Sequence, residues 1–245
     1  MAKLFNESEV TTWATNRFIN LSSAPRNDYA WFVEKSGKVL ADEADKKPGR
    51  VLIIGITGRA GSGKDSAPSF IEDRVFPNET VVRHFADRLK AIANLFFSQE
   101  QLTDRELKEK VDEFWGISPR RFLQMCGTEM FRKVWREDVW TKCLEREIMY
   151  MQGNASENAS RRIVFVPDVR FPNEVETIHK LGGIVARVVR PNNPLGISAQ
   201  HDSERFIDEL PVDLSIVNKA ENAVEWSLEF TKAIVQHWNS SAYYY

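Results

Sequence analysis

The chain has 245 residues, of which 42% are hydrophobic and 28% charged, with a formal net charge of −2. That length holds one α/β domain with a sizeable core and is short for two, and the near-neutral charge gives no overall pull toward nucleic acid or acidic membranes. No apolar run approaches the roughly 20 residues that span a bilayer and the N-terminus lacks the apolar core of a signal peptide, so a cytoplasmic protein with neither a membrane nor a stable nucleic-acid partner is expected.

Residues 1–48 differ in character from the rest of the chain. Phe5 to Phe18 has the spacing of a short helix, the run from Ser22 to Asp28 breaks it, and Ala41 to Pro48 reads as a solvated linker. This segment is expected to be an appendage, whose aromatics Trp31 and Phe32 would pack either on the domain or on a second copy in a homodimer. The remainder, 49–240, reads as one domain, and 241–245 as a loose tail.

From Val51 onward, short β-rich apolar runs alternate with helical stretches, the pattern of parallel strands joined by crossover helices. The expected strands are Val51 to Thr57, Thr80 to Phe85, Arg162 to Val166, Gly183 to Val189 and Leu214 to Val217. Five such strands predict an α/β fold with a doubly wound parallel sheet. A long helical insertion, about 87–151, separates the second strand from the third.

Between the first strand and a helix expected from about Asp65 to Val75 lies Gly58-Arg59-Ala60-Gly61-Ser62-Gly63-Lys64. Glycines at 58, 61 and 63 let the backbone wrap an anion so that successive N–H groups point inward, while Lys64 and the positive end of the helix add charge. Strand, Gly-x4-Gly-Lys and helix in that order define a P-loop for the phosphates of a nucleoside triphosphate, held by Gly58, Ala60, Gly61, Ser62, Gly63, Lys64, Asp65 and Ser66. The residue after the lysine, ordinarily a Ser or Thr that binds Mg²⁺, is Asp65, whose carboxylate could recruit the ion directly or through water.

The second strand runs into Phe85-Ala86-Asp87-Arg88-Leu89-Lys90, so Arg88 and Lys90 either reach the acceptor site or simply open a helix. Ser118-Pro119 carries the signature of a helix start over Arg120 to Arg132, with Phe122, Met125, Cys126 and Met130 toward a core. Arg121, Gln124 and Thr128 fall on another face, where they would meet an acceptor's phosphate, base edge and sugar; a plainly solvated face has the same spacing. Cys126 and Cys143 both lie in helical stretches with no histidine at ligand spacing, which argues against a zinc site or disulfide framework.

After the third strand, Asp168, Arg170 and Glu174 sit where ligands bind in open α/β sheets, at the carboxyl end. Asp168 would join the Mg²⁺ shell, Arg170 would bind the acceptor phosphate and Glu174 would orient it; the alternative is a turn with surface ion pairs. Lys64, Asp168 and Arg170 are therefore the expected catalytic set, with Asp65 and Asp168 toward the metal. Arg187, Arg190 and His201 border a loop, about 190–210, that is expected to be a lid, and Asn218 either contacts a base or makes a turn. In the C-terminal helix Val224, Leu228, Thr231, Val235 and Trp238 are expected to mark the apolar face.

Taken together, Gly63-Lys64-Asp65, the run from Arg120 through Gly127-Thr128-Glu129, and Asp168-Val169-Arg170 to Glu174 resemble the bacteriophage deoxynucleoside monophosphate kinases, a branch of the nucleoside monophosphate kinase-like P-loop enzymes. The resemblance runs from about Val51 to the C-terminal helix, and the acid after the P-loop lysine is part of it. It implies transfer of the γ-phosphoryl group of ATP, with Mg²⁺, to a small deoxynucleoside 5′-monophosphate, feeding viral DNA synthesis in an infected bacterium. It also implies that Arg121, Gln124 and Thr128 belong to the acceptor site and Arg170 to the phosphate shell. The alternatives are another P-loop kinase, of the dephospho-coenzyme A or phosphomevalonate type, and a P-loop ATPase coupled to a partner.

Overall fold

The computed structural model describes residues 51–75, 80–153, 163–191, 193 and 207–241. The expected appendage, the tail beyond 241, His201 and most of the expected lid lie outside them.

Five parallel strands form one sheet: β1 (Leu52–Thr57), β2 (Thr80–Val82), β3 (Ile163–Pro167), β4 (Ile184–Val189) and β5 (Leu214–Val217). Their spatial order is β2-β3-β1-β4-β5. All five expected strands are present, and only β2 is notably shorter than its apolar run, ending at Val82 before His84 and Asp87 make a turn, with the His84 N–H donating to Asp87 Oδ2 at 2.7 Å. β1 is buried at every position, as a central strand covered on both faces must be.

Alternate residues of β1 feed two cores. Leu52, Ile54 and Ile56 pack with Ile163, Phe165, Ala186 and Val188 beneath α1 (Ser66–Phe70) and the C-terminal helix α8 (Ala223–Ser241). Val51 and Ile53 face the other way with Val164, Val166 and Val185, under α6 (Val139–Gly153) and α7 (Pro172–Lys180). Helices on both faces of a parallel sheet make the fold doubly wound. At Gly55 a Cβ would come within 2.4 Å of Ile178 Cδ1, so the missing side chain lets α7 lie close to the central strand.

The insertion contains α2 (Asp87–Ala93), α3 (Gln99–Thr103), α4 (Arg105–Glu109) and α5 (Pro119–Gln124). Each short helix has a local reason to start. Ser98 makes a reciprocal capping box with Gln101, Asp104 accepts from the N–H groups of Glu106 and Leu107 at 2.9 Å each, and Ser118 accepts from Arg121 N–H with Pro119 at the first helical position. Ala93, Phe97 and Leu102 form a small core of their own.

Two helices depart from the ordinary α-helix expected for them. α1 continues as a π-helix over Ile71–Val75, and α5 continues as one over Met125–Trp135. In the second case the wider turn frees the Gly127 carbonyl, which accepts the buried indole N–H of Trp140 at 2.9 Å. Met130, expected in the core, is 52% exposed, because the change of helical period rotates it outward. No helix among the described residues is long and apolar enough to cross a membrane.

Candidate active site

The sheet register brings the two strand-end motifs together. Ile56 of β1 lies opposite Pro167 of β3, so the P-loop and Asp168 leave adjacent strands at the same end. The Val169 N–H donates to the Ile56 carbonyl at 3.0 Å and fixes that junction.

The loop's three glycines adopt φ of 155° at Gly58, 76° at Gly61 and 95° at Gly63, a region side chains avoid. At Gly63 an added Cβ would also sit 2.5 Å from Asn218 Nδ2 and 2.9 Å from Trp226 Nε1. Those two groups hold the loop from behind: Asn218 Nδ2 donates to the Ser62 carbonyl and Trp226 Nε1 to the Gly63 carbonyl, both at 2.8 Å. Because a trans peptide sets N–H opposite C=O, the Gly63 and Lys64 amides are thereby turned to the other side, toward the mouth of the loop. Thr57 Oγ1 and Ser62 Oγ are buried there without a hydrogen-bond partner among the described residues. A cradle that admits no Cβ, two turned amides and two unanswered hydroxyls fit a phosphate group.

Trp226→Phe keeps a ring in the core but removes the indole N–H and part of the buried ring volume. It is expected to cost at least about 1 kcal/mol of stability, the scale of one hydrogen bond, with the cavity left behind adding to it. The KM for ATP should rise as well; thermal unfolding and ATP titration check the two effects separately.

At the mouth stands Lys64, whose side chain is only 9% exposed. Its Nζ lies 2.7 Å from Asp65 Oδ2 and 3.0 Å from Asp168 Oδ1. Asp168 Oδ1 also takes Arg170, whose Nε and terminal nitrogen each approach to 2.8 Å. Asp168 has φ 73°, the sole non-glycine residue at positive φ among those described, a strained setting of the kind that packing must hold in place. Burial would push its carboxyl up, but Lys64 and Arg170 outweigh this and hold it down at about 2.

Glu174, at the start of α7, is 3% exposed. One of its oxygens accepts the N–H groups of Arg170 at 2.8 Å and Phe171 at 3.2 Å; the other accepts Arg132 at 3.1 Å. Arg132 also lies over the Phe171 ring, 4.5 Å from its centre. Burial raises the Glu174 carboxyl above the usual range despite these donors. Glu174 thus orients the backbone that presents Arg170. Glu174→Gln leaves at least one of the three donors unanswered and is expected to cost about 1–3 kcal/mol, read in chemical denaturation.

Other expected residues have different partners. Arg88 is exposed, 3.6 Å from Glu147, which also binds Arg83; Lys90 is exposed and Gln124 half-buried. Arg121 is exposed in an ion pair with Glu129 at 2.6 Å, and Thr128 is exposed beside it. Arg187 belongs to β4 and donates to the carbonyls of Ile207 at 3.2 Å and Leu210 at 2.7 Å, at the far end of the expected lid. Arg190 is exposed. Asn218 is buried behind the P-loop, where its Oδ1 accepts Ala220 N–H, so it braces the loop.

Arg132 and Trp226 were not expected at the site. Arg132 follows Thr128 by one helical step, a signal the sequence did offer; nothing in the sequence pairs Trp226 with Gly63. The loop's tip has two more ties, Asn193 Nδ2 to the Ala60 carbonyl and Arg59 to Asp208, both at 2.5 Å.

A P-loop at the switch point of a doubly wound parallel sheet, with its lysine held between two acids and an arginine beside them, defines a P-loop kinase. The family model for deoxynucleotide monophosphate kinase matches residues 93–225, which is more than half of the chain. The chain belongs to that family. A protein of Acanthamoeba polyphaga mimivirus, provisionally designated a deoxynucleotide monophosphate kinase, is 34% identical over 185 residues, covering 69% of this chain and 89% of its own length. The deoxynucleoside-5′-monophosphate kinase of Escherichia phage T5 is 29% identical over 142 residues, covering 54% of each chain. Among solved structures, a Mycobacterium tuberculosis APS kinase aligns over 78% of this chain and 98% of its own at 12% identity, with a TM-score of 0.38.

Proposed function

We propose that this chain transfers the γ-phosphoryl group of ATP to a deoxynucleoside 5′-monophosphate, giving the diphosphate and ADP, in the cytoplasm where DNA precursors are made. The observation that carries the reading is the Lys64 ammonium bracketed by Asp65 and Asp168 at the mouth of the glycine loop.

Phosphoryl transfer asks little covalent work of the protein; it requires alignment of acceptor and donor, and stabilisation of charge. Gly58, Ala60, Gly61, Ser62 and Gly63 would hold the donor phosphates, with Thr57 and Ser62 hydroxyls turned to them. Lys64 would move from its two carboxylates to the γ-phosphate, and Arg170 would steady the group in transfer, its backbone set by Glu174 and Arg132. The acids Asp65 and Asp168 would hold Mg²⁺ through oxygen or water, where the ion neutralises charge on the donor. Ser66 Oγ donates to the Gly63 carbonyl at 3.1 Å, which reinforces the turn next to Asp65. Residues 49–240 would form the kinase domain, with the helical insertion at 87–151 receiving the acceptor through Arg88, Lys90, Arg121, Gln124 and Thr128.

A coupled assay of ADP release with ATP, Mg²⁺ and each deoxynucleoside monophosphate in turn tests the reading. Release is expected to depend on the acceptor and to be strongest with deoxynucleotides. Equal release with and without acceptor would identify an ATPase instead.

A further inference from the structure

The carbonyls of the P-loop are answered one after another from outside its cradle. The Arg59 carbonyl accepts the Ser62 N–H at 3.1 Å, and those of Ser62 and Gly63 take Asn218 and Trp226. A further brace comes from beyond the end of β4, where Asn193 Nδ2 donates to the Ala60 carbonyl at 2.5 Å. No peptide among the described residues is cis, so a carbonyl drawn toward Asn193 turns the N–H of the next residue, Gly61, to the opposite side. Gly61 is exposed, with φ of 76°, and that N–H is open to a ligand in the cradle. The other residue of the tip is gripped by the end of the same connection. The short 3₁₀ turn Ile207–Glu209 is seated by the buried side chains of Ile207 and Leu210 and by Arg187, which donates to both of their carbonyls. Asp208 stands on that turn and pairs with Arg59 at 2.5 Å. Arg59 and Ala60 are thus tied, one by side chain and one by backbone, to the two ends of the connection from β4 to β5.

We propose that Asn193 is a positioning residue for the phosphoryl donor, setting the Gly61 N–H toward the phosphates of ATP. The assignment rests on the donor half of the kinase reading and adds to it a residue far outside the glycine motif on which donor affinity depends. An N–H that meets a phosphate oxygen makes a charge-assisted hydrogen bond, and a loop already turned to make it loses little free energy in reorganising. The Arg59–Asp208 pair beside it keeps the tip in that setting. Asn193 differs from Trp226 in what its removal does. Trp226 is buried in the core, so its loss lowers stability and donor affinity together, whereas Asn193 is half-buried at the rim of the loop and its loss falls on donor affinity alone.

The test is Asn193→Ala, alongside Asn193→Asp, which keeps the shape of the side chain and puts an acceptor where the donor was. In both variants the KM for ATP is expected to rise about 3- to 10-fold, the scale of one lost hydrogen bond, while the KM for the deoxynucleoside monophosphate and the melting temperature stay those of wild type. Inorganic triphosphate, which offers the loop phosphates and no nucleoside, should inhibit against ATP with a Ki raised by the same factor. A KM for ATP unchanged in both variants overturns the assignment. So does a raised KM with the triphosphate Ki unchanged, which would put Asn193 against the nucleoside, and so do equal losses for ATP and acceptor, which mark a purely structural side chain. A wild type that binds ATP but phosphorylates none of the common deoxynucleoside monophosphates overturns the kinase reading alone, and the same comparison of variants is then read in the Kd for ATP.

Discussion

Lys64→Ala is expected to lower kcat for deoxynucleoside monophosphate phosphorylation by about 10²- to 10³-fold, the loss seen when one preorganised charge-stabilising donor is removed. The reason lies in where the ammonium stands. It is almost fully enclosed, and both its carboxylate partners are within 3.0 Å. Charge-charge interactions strengthen where water is excluded, so its effect on a developing phosphoryl charge exceeds that of a surface lysine. Asp168 keeps Arg170 when Lys64 is gone, so the fold should survive, and the far-UV spectrum and melting temperature serve as controls. Steady-state kinetics of the folded variant give the answer. Turnover within threefold of wild type would sink the P-loop mechanism.

Asp168→Asn is expected to produce a comparable loss, about 10²-fold in kcat, because it releases two catalytic cations at once. Asp168 Oδ1 is the shared partner of Lys64 and Arg170, and an amide placed there would offer at most one weaker acceptor. The carboxyl also makes a statement about stability. Its folded pKa of about 2 lies below the ordinary aspartate value of 3.8, so the folded state binds a proton less readily than the unfolded one. Its stabilising contribution is therefore complete above about pH 4, shrinks as pH falls from there, and is lost as pH passes below about 2. The side chain is about a third exposed, so solvent screening reduces the size of that contribution. In Mg²⁺-free buffer, the stability gap between wild type and Asp168→Asn should stay constant from pH 7 to 5 and narrow below pH 4. A gap that widened on acidification would contradict the ion-paired geometry.

The sequence by itself determined the five strands, their parallel sense and the P-loop. Val51 to Thr57 is apolar nearly throughout because a strand covered on both faces has no polar side to show, and Gly58, Gly61 and Gly63 mark backbone conformations that few other residues adopt. It also placed Asp168, Arg170 and Glu174 at a strand end next to the loop. What it left open was the partner of each polar group. The C-terminal helix shows this plainly: its expected apolar face was Val224, Leu228, Thr231, Val235 and Trp238, whereas the structure buries Trp226, Ser227, Phe230, Thr231 and Ile234. Val224, Leu228 and Val235 are only half-buried, and the side chain of Trp238 lies outside those described. Both stripes have helical spacing, and the choice fell to the Gly63 carbonyl, which is reached by Trp226 across 163 residues of chain. Asn218 was legible as a turn residue but not as the brace of Ser62, and the π-helical segment over Met125–Trp135 sets Gly127 against Trp140 and Leu89, contacts that no local pattern announces. Local pattern reports which side chains need burial or a special backbone; only the folded chain decides which distant group answers them, because long-range hydrogen bonds and ion pairs have no period along the sequence.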